Sequence, residues 1–404
     1  MKSNARIKEI YSLEDVIKRR EKDHEFKILL DKARLRVAIA RQKSAGLGQH
    51  PVQSLLQEKD KRIRLAYCYL QNKAKQRMPF DGKITVELKG EMTTEMSSNT
   101  IKVFYHPLSV VADVEKVAGE RYSFMKKPRA LFEALQKEGL NFEHHTYEPF
   151  TWKDIELCHD PYYVEAVRTG TPIELAESCA IPWSDELVAA IPYATASIYC
   201  AAAYAVSTGE PTMSMSTGFH HAKYMMGGSL CPLNDLNITA EKIHRESGLR
   251  GLILDCDYHI GNGTDDIISA CNQGEYLHNL SMGYFFSRLC VMHNEYLLLL
   301  KEKLSKELKS GFPQYVIYKA AADVFEKDPM AKRGPLSLKE IVKRDEMVFG
   351  MIKEAGIPVA ICLGGGYHSM KVNLLIHLNT FKVCSNVYFN TGHTYNFGLQ
   401  GREN

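Results

Sequence analysis

The chain has 404 residues, 45% hydrophobic and 25% charged, enough to bury one large core with something smaller attached. Its net charge of +3 conceals an uneven distribution, because residues 1–78 carry 20 Lys/Arg against 9 Asp/Glu and leave 31 against 39 for the rest. Ten cysteines without framework-like spacing argue against a disulfide scaffold, and the opening MKSNARIKEI lacks the apolar stretch of a signal peptide. Together these predict a soluble cytoplasmic protein with reduced thiols, or a nuclear one if the source is eukaryotic.

Ser12 with Asp15 opens a charged, apolar-periodic pattern that runs to about Lys43, and a second such stretch runs from Pro51 to Arg77. With AGLGQ between them, the two predict a helical hairpin. The bland reading is a solvated pair packed on the body; the sharper one is a basic docking surface for nucleic acid, an anionic membrane or a protein partner. KITVEL then reads as a short strand and EMTTEMSSNT as a linker, so the extension occupies 1–100 and the main domain 101–404.

From Ile101 the pattern becomes strands alternating with helices. That predicts an α/β domain of three layers, a mostly parallel sheet with helices on both faces. Strands are expected at IKVFYH (101), TMSMS (212), GLILDCD (251), EYLHNLSM (275), QYVIYKAA (314) and VAICLGGG (359). Helices are expected at 128–138, 187–206, 236–247, 295–309 and 337–355, the last framed by a Ser337/Glu340 capping box, Gly356 and Pro358. Leu187 to Val206 is the most lipid-like run, but its Pro192, hydroxyl side chains and many alanines suit a packed buried helix. No transmembrane segment is expected.

The stretch RGLILDCDYHIGNGT at 250 carries the first chemistry. A buried apolar strand ends in Asp255, Asp257 and His259, and open α/β sheets bind ligands at the carboxyl edge of their strands. Other strands end in chemistry too: TGFHHA with His220 and His221, Asp323 after QYVIYKAA, and Gly364-Gly365-Gly366-Tyr367 after VAICL. Asp257, His259 and Asp323 can supply three N/O ligands and leave a fourth position open for water, as a catalytic zinc site requires. Two carboxylates weaken the acidifying effect of the metal, so a neighbouring base is needed. One of His220 and His221 would move the proton while the other stabilises charge. Tyr367, carried on a flexible glycine run, would donate to the oxyanion.

GFHHA, DCDYHIGNGT, AADVFEKDP and LGGGY, in this order, resemble the signatures of the histone deacetylase-like zinc amidohydrolases of the arginase–deacetylase fold. CHDPYYVEAVRTG near 158 and LCPLNDLNI near 230 extend the likeness over roughly 101–385, and GPLSLKEIVKRDEMVF at 334 is similar to the class IV deacetylases. The resemblance implies zinc on Asp257, His259 and Asp323, His221 as general base and acid, and His220 as an electrostatic partner oriented by Asp255. Asn262 falls where the family has an Asp or Asn partner for the second histidine, which should leave His221 less basic than a carboxylate would. It also implies a structural potassium on Asp255, Ser281 and the main-chain oxygens of Asp257 and His259. One zinc rather than two metals is expected, since Asp323 is followed by Val324 and Phe325 and not by a second carboxylate.

Two features depart from the family. Leu230, in SLC, stands where a tunnel-wall Phe is usual, beside Ser229 and opposite Gly365 in the expected substrate channel. Residues 283–313 pass from a strand to one helix without the loop and extra strand that relatives carry. A widened channel suits acyl groups bulkier than acetyl. The leading reading is therefore zinc-dependent hydrolysis of an acylated lysine in a protein or peptide, or of a similar acyl-amide. A binding or scaffold protein with a degraded channel, and an acetylpolyamine-type amidohydrolase acting on an acylated amine, are the alternatives. Retention of His220, His221 and Tyr367 speaks against the first, and an acidic rim would favour the second.

Overall fold

The computed structural model describes residues 99–398 apart from 112, 113, 115–117, 286–294, 332 and 333. The expected helical hairpin, the KITVEL strand and nearly all of the linker lie outside these residues.

Seven parallel strands form one sheet in the order β2-β1-β3-β7-β6-β4-β5. They are β1 (Ile101–Phe104), β2 (Phe142–His145), β3 (Thr212–Ser214), β4 (Gly251–Asp255), β5 (Leu277–Ser281), β6 (Tyr315–Ala320) and β7 (Val359–Leu363). Every residue of β4, β6 and β7 is buried, which explains why GLILD, YVIYKA and VAICL run without the alternation of a half-exposed strand. The predicted strands all form. β2 was not predicted because FEHH lies at the sheet edge, with two of four side chains exposed, and its apolar signal is weak.

Alternation along the strands sorts side chains onto two faces. Leu252, Leu254, Val316, Tyr318, Val359 and Ile361 share one core with helices α1 (Lys127–Lys137), α6 (Tyr296–Lys309), α7 (Leu338–Glu354) and α8 (Met370–Phe389). The other face meets α3 (Asp185–Thr208), which packs on β1, β3 and β7 and on α4 (Asp235–Ser247). Helices α2 (Pro161–Thr169) and α5 (Asn262–Ala270) complete the longer elements among the described residues. The three predicted layers are present.

Local chemistry accounts for the helix ends. At α7, Glu340 N–H donates to Ser337 Oγ at 3.3 Å while Ser337 N–H donates to Glu340 Oε2 at 2.8 Å, which completes the predicted capping box. Helix α3 starts with Ser184 Oγ accepting from Leu187 N–H and ends at Gly209 with φ of 76°. It is long and apolar enough to cross a membrane by length and composition, but Leu187, Ile191, Ile198 and a row of alanines are buried in the protein. Helix α8 was missed because it is buried around much of its girth, so no apolar stripe marks it in the sequence.

Candidate active site

The sheet sets the first part of the site. Beyond the end of β4 the chain presents Asp257 and His259; beyond the end of β6 it presents Asp323. His259 Nδ1 lies 3.1 Å from Asp257 Oδ1 and 2.9 Å from Asp323 Oδ2. The three donor atoms lie within 4.8 Å of one another, and both aspartates are buried. Backbone amides fix the carboxylates: His259 N–H donates to Asp257 Oδ1 at 3.0 Å, and Tyr258 N–H to Asp323 Oδ1 at 3.1 Å.

This donor set fits a dication. Tetrahedral zinc with bonds of about 2.0–2.2 Å spaces its ligand atoms roughly 3.3 Å apart, close to the separations seen. The electrostatics agree. Burial and then the charge of Asp257 push the Asp323 carboxyl up, while His259 is raised to about 10 because its two carboxylate partners outweigh its burial. Asp323 and His259 thus favour their protonated forms, and a bound cation would displace those protons.

The histidine pair lies beside it, ring centroids 4.1 Å apart. His220 Nδ1–H donates to Asp255 Oδ2 at 2.6 Å, and His221 Nδ1–H donates to Asn262 Oδ1 at 2.9 Å. A carboxylate or amide oxygen can only accept, so each partner fixes its histidine's tautomer and leaves Nε2 as the working atom. Burial, then the neighbouring His220, lowers the His221 pKa to about 4. Burial would raise Asp255, but the His220 imidazole and the Lys319 ammonium outweigh it and hold the carboxyl low.

The loop carrying these histidines is braced by the two segments that looked family-like without offering chemistry. His159, in CHDPYY, accepts from Asn234 N–H at 2.8 Å on Nε2 and donates from Nδ1 to Lys223 O at 3.0 Å. Asn234, in LCPLND, donates to Ala222 O. Asp235 accepts from Ser216 Oγ and Phe219 N–H, both at 2.6 Å. These buried braces set the position of His220 and His221 without touching the cavity's reactive end.

The glycine run before Tyr367 requires correction. It is not a flexible tether. Lys127 Nζ donates to the Gly364 and Gly365 carbonyls, Gly365 N–H donates to Asp257 Oδ2 at 3.0 Å, and Asn373 Nδ2 donates to Gly366 O at 3.0 Å. Glycine is needed for close approach, since a Cβ on Gly364 would strike Ala321 and one on Gly365 would strike the Asp323 carboxylate. Tyr367 itself is anchored by its N–H to Asp328 Oδ2 at 2.7 Å, and its ring stands 6.2 Å from that of His259. Burial, then Asp257 and Asp323, raises its phenol, which therefore remains a donor.

A cavity of about 100 Å³ joins these parts, lined by His220, His221, Asp257, Tyr367 and the channel residues Ser229, Leu230 and Gly365. Ser229 and Leu230 hold positive φ angles of 35° and 68°, and Leu230 N–H is tied to Cys179 O at 2.7 Å. Leu230 lines the cavity where a tunnel-wall Phe is usual in the family, and Phe124, also in the lining, meets the Tyr367 ring edge-on at 5.5 Å. Of the 283–313 region, 286–294 lie outside the described residues; a single helix, α6, follows them. Asp255 and Ser281, the side chains expected around potassium, are register partners across β4 and β5 and are both buried.

Three participants were missed: Lys127, Asp328 and Lys319. Lys319 lies on β6, opposite Asp255 in register, 1% exposed, with Nζ bonded to Asp257 and 3.7 Å from Asp255 Oδ1. A lysine inside the fully buried run YVIYKA was the available signal.

The chain is similar to several known proteins. The sequence model of the histone deacetylase domain matches residues 123–286, a span that holds both histidines, Asp257 and His259 and stops short of Asp323 and Tyr367. An uncharacterised protein of Picosynechococcus is 29% identical over 293 residues, 66% of this chain and 91% of its own. Histone deacetylase 2 of Arabidopsis thaliana is 30% identical over 170 residues, 38% of this chain and 44% of its own. The crystal structure of acetylpolyamine aminohydrolase from Burkholderia pseudomallei superposes with a TM-score of 0.54 at 17% identity, covering 71% of this chain and 99% of that one. With the parallel sheet, the histidine pair and the strand-end carboxylates in place, the chain has the arginase–deacetylase fold and is similar to the histone deacetylase-like proteins, whose domain model it matches over residues 123–286.

Proposed function

We propose that this protein is a zinc-dependent deacylase that hydrolyses the amide of an N-acyl-lysine or a similar acylated amine. The observation that carries the reading is the convergence of Asp257 Oδ1, His259 Nδ1 and Asp323 Oδ2 beside a cavity that also exposes His220, His221 and Tyr367. These three side chains would hold the metal, which when bound supplies Lewis acidity toward the amide carbonyl and toward water.

The chain's own residues supply the rest. His221, kept neutral by burial and with Nδ1–H engaged by Asn262, offers Nε2 to take a proton from water and return it to the departing amine. His220, held by Asp255, is the electrostatic partner of His221 beside the reacting amide. The Tyr367 phenol donates to the oxyanion from a loop already anchored for that purpose.

The cavity supports acyl groups longer than acetyl. Val110, Val111, Met125, Ile191 and Met215 give it an apolar lining. The test is turnover by zinc-loaded protein of lysine peptides carrying acyl chains of graded length, with acetylated polyamines beside them. Release of acyl groups, favouring chains beyond acetyl, is expected. A protein that binds zinc stoichiometrically and turns over no acyl-amide contradicts it.

A further inference from the structure

We infer that Lys319 is a built-in second cation of the metal centre, leaving Asp257 one oxygen turned toward the other donors and limiting the centre to one dication of moderated affinity. The inference rests on the metal reading above and adds a residue to it that the donor set does not contain.

The geometry is specific. Asp257 Oδ2 is taken twice, by the Lys319 ammonium and by Gly365 N–H at 3.0 Å, so only Oδ1 faces His259. Lys319 cannot relax away, because its stem passes against Gly218, where an added Cβ would stand 3.2 Å from both Cδ and Cε. Its Nζ also lies 3.7 Å from Asp255 Oδ1, within the group His220, Asp255 and Asp257 whose donor atoms cluster closely enough to hold a cation of their own. That second place is filled by an amine of the protein.

Charge leads to the same conclusion. The buried carboxylates of Asp255, Asp257, Asp323 and Asp328, with the ammonium groups of Lys319 and Lys127 among them, leave two negative charges for a single dication to cancel. A further dication would find that charge already cancelled and would leave two uncompensated positive charges in a medium where unit charges at such distances interact strongly.

The test compares the full-length wild type with Lys319→Gln and Lys319→Met, by zinc titration against a competing chelator and by the rise in Tm on adding zinc. Wild type should bind one zinc. Both variants should bind zinc more tightly, by on the order of tenfold or more, and gain more Tm from it, since a fixed positive charge has gone. Variants that fold only when zinc is present agree with the inference, because three buried carboxylates then lack their counter-charge. Unchanged or weaker zinc binding, or a loss of folding that zinc does not restore, overturns it. A wild type that binds no zinc removes the metal reading itself, whereas zinc bound equally by all three proteins removes only the role given to Lys319.

Discussion

Two halves of the site are built by different means. Asp257, His259, Asp323 and Lys319 lie in or just beyond neighbouring strands, where parallel register fixes their separations before any side-chain packing is considered. His220, His221 and Tyr367 stand on loops and owe their positions to buried polar braces from His159, Asn234, Asp235, Lys127 and Asp328. Register is hard to perturb with one substitution, and a brace is easy to perturb. Metal binding and catalysis should therefore be separable by mutation.

The largest separation-breaking change is Asp323→Asn, which removes a charged donor from the strand-end half. It should abolish both zinc binding and turnover, read by elemental analysis and acyl-peptide hydrolysis on the same sample. Tyr367→Phe touches only the loop half. It should lower kcat by about 10²–10³ while zinc content and substrate binding stay as in wild type. If zinc content fell with it, the two halves would not be independent. Asp328→Ala removes the acceptor for Tyr367 N–H and should cost about tenfold to 10²-fold in kcat through misplacement of the phenol, again with zinc retained.

A smaller effect concerns proton transfer. His221 must be neutral to act as base, and its depressed pKa of about 4 keeps it so through neutral pH, so activity should decline only on the acid side. A carboxylate favours the imidazolium. Asn262→Asp should therefore move that acid limb to higher pH by about one unit, measured as kcat/KM against pH. The smallest effect lies outside the site: Ser337→Ala removes the α7 cap and should cost about 1 kcal/mol in denaturant unfolding with kcat unchanged.

The same division governed what the sequence revealed. Strands β4, β6 and β7 were legible as apolar runs ending in polar clusters, and their shared edge brought Asp255, Asp257, His259 and Asp323 to one place. The braces were not legible, because a buried Asp328 or His159 differs from an exposed one only through contacts made across long stretches of chain. Gly364 and Gly365 read as flexibility when their role is to let backbone approach Ala321 and Asp323. Helix α8 and strand β2 escaped for opposite reasons, one buried on too many sides to show a stripe and the other too exposed to show a core.

The central claim is that one dication, held by Asp257, His259 and Asp323, works with the histidine pair. Titrating zinc into metal-free protein while following acyl-peptide hydrolysis tests it most directly. Activity should rise in proportion to bound zinc and level off at one per chain, with neither binding nor activity in Asp257→Asn. Hydrolysis in the absence of any dication, or stoichiometric zinc binding retained by Asp257→Asn, would contradict it.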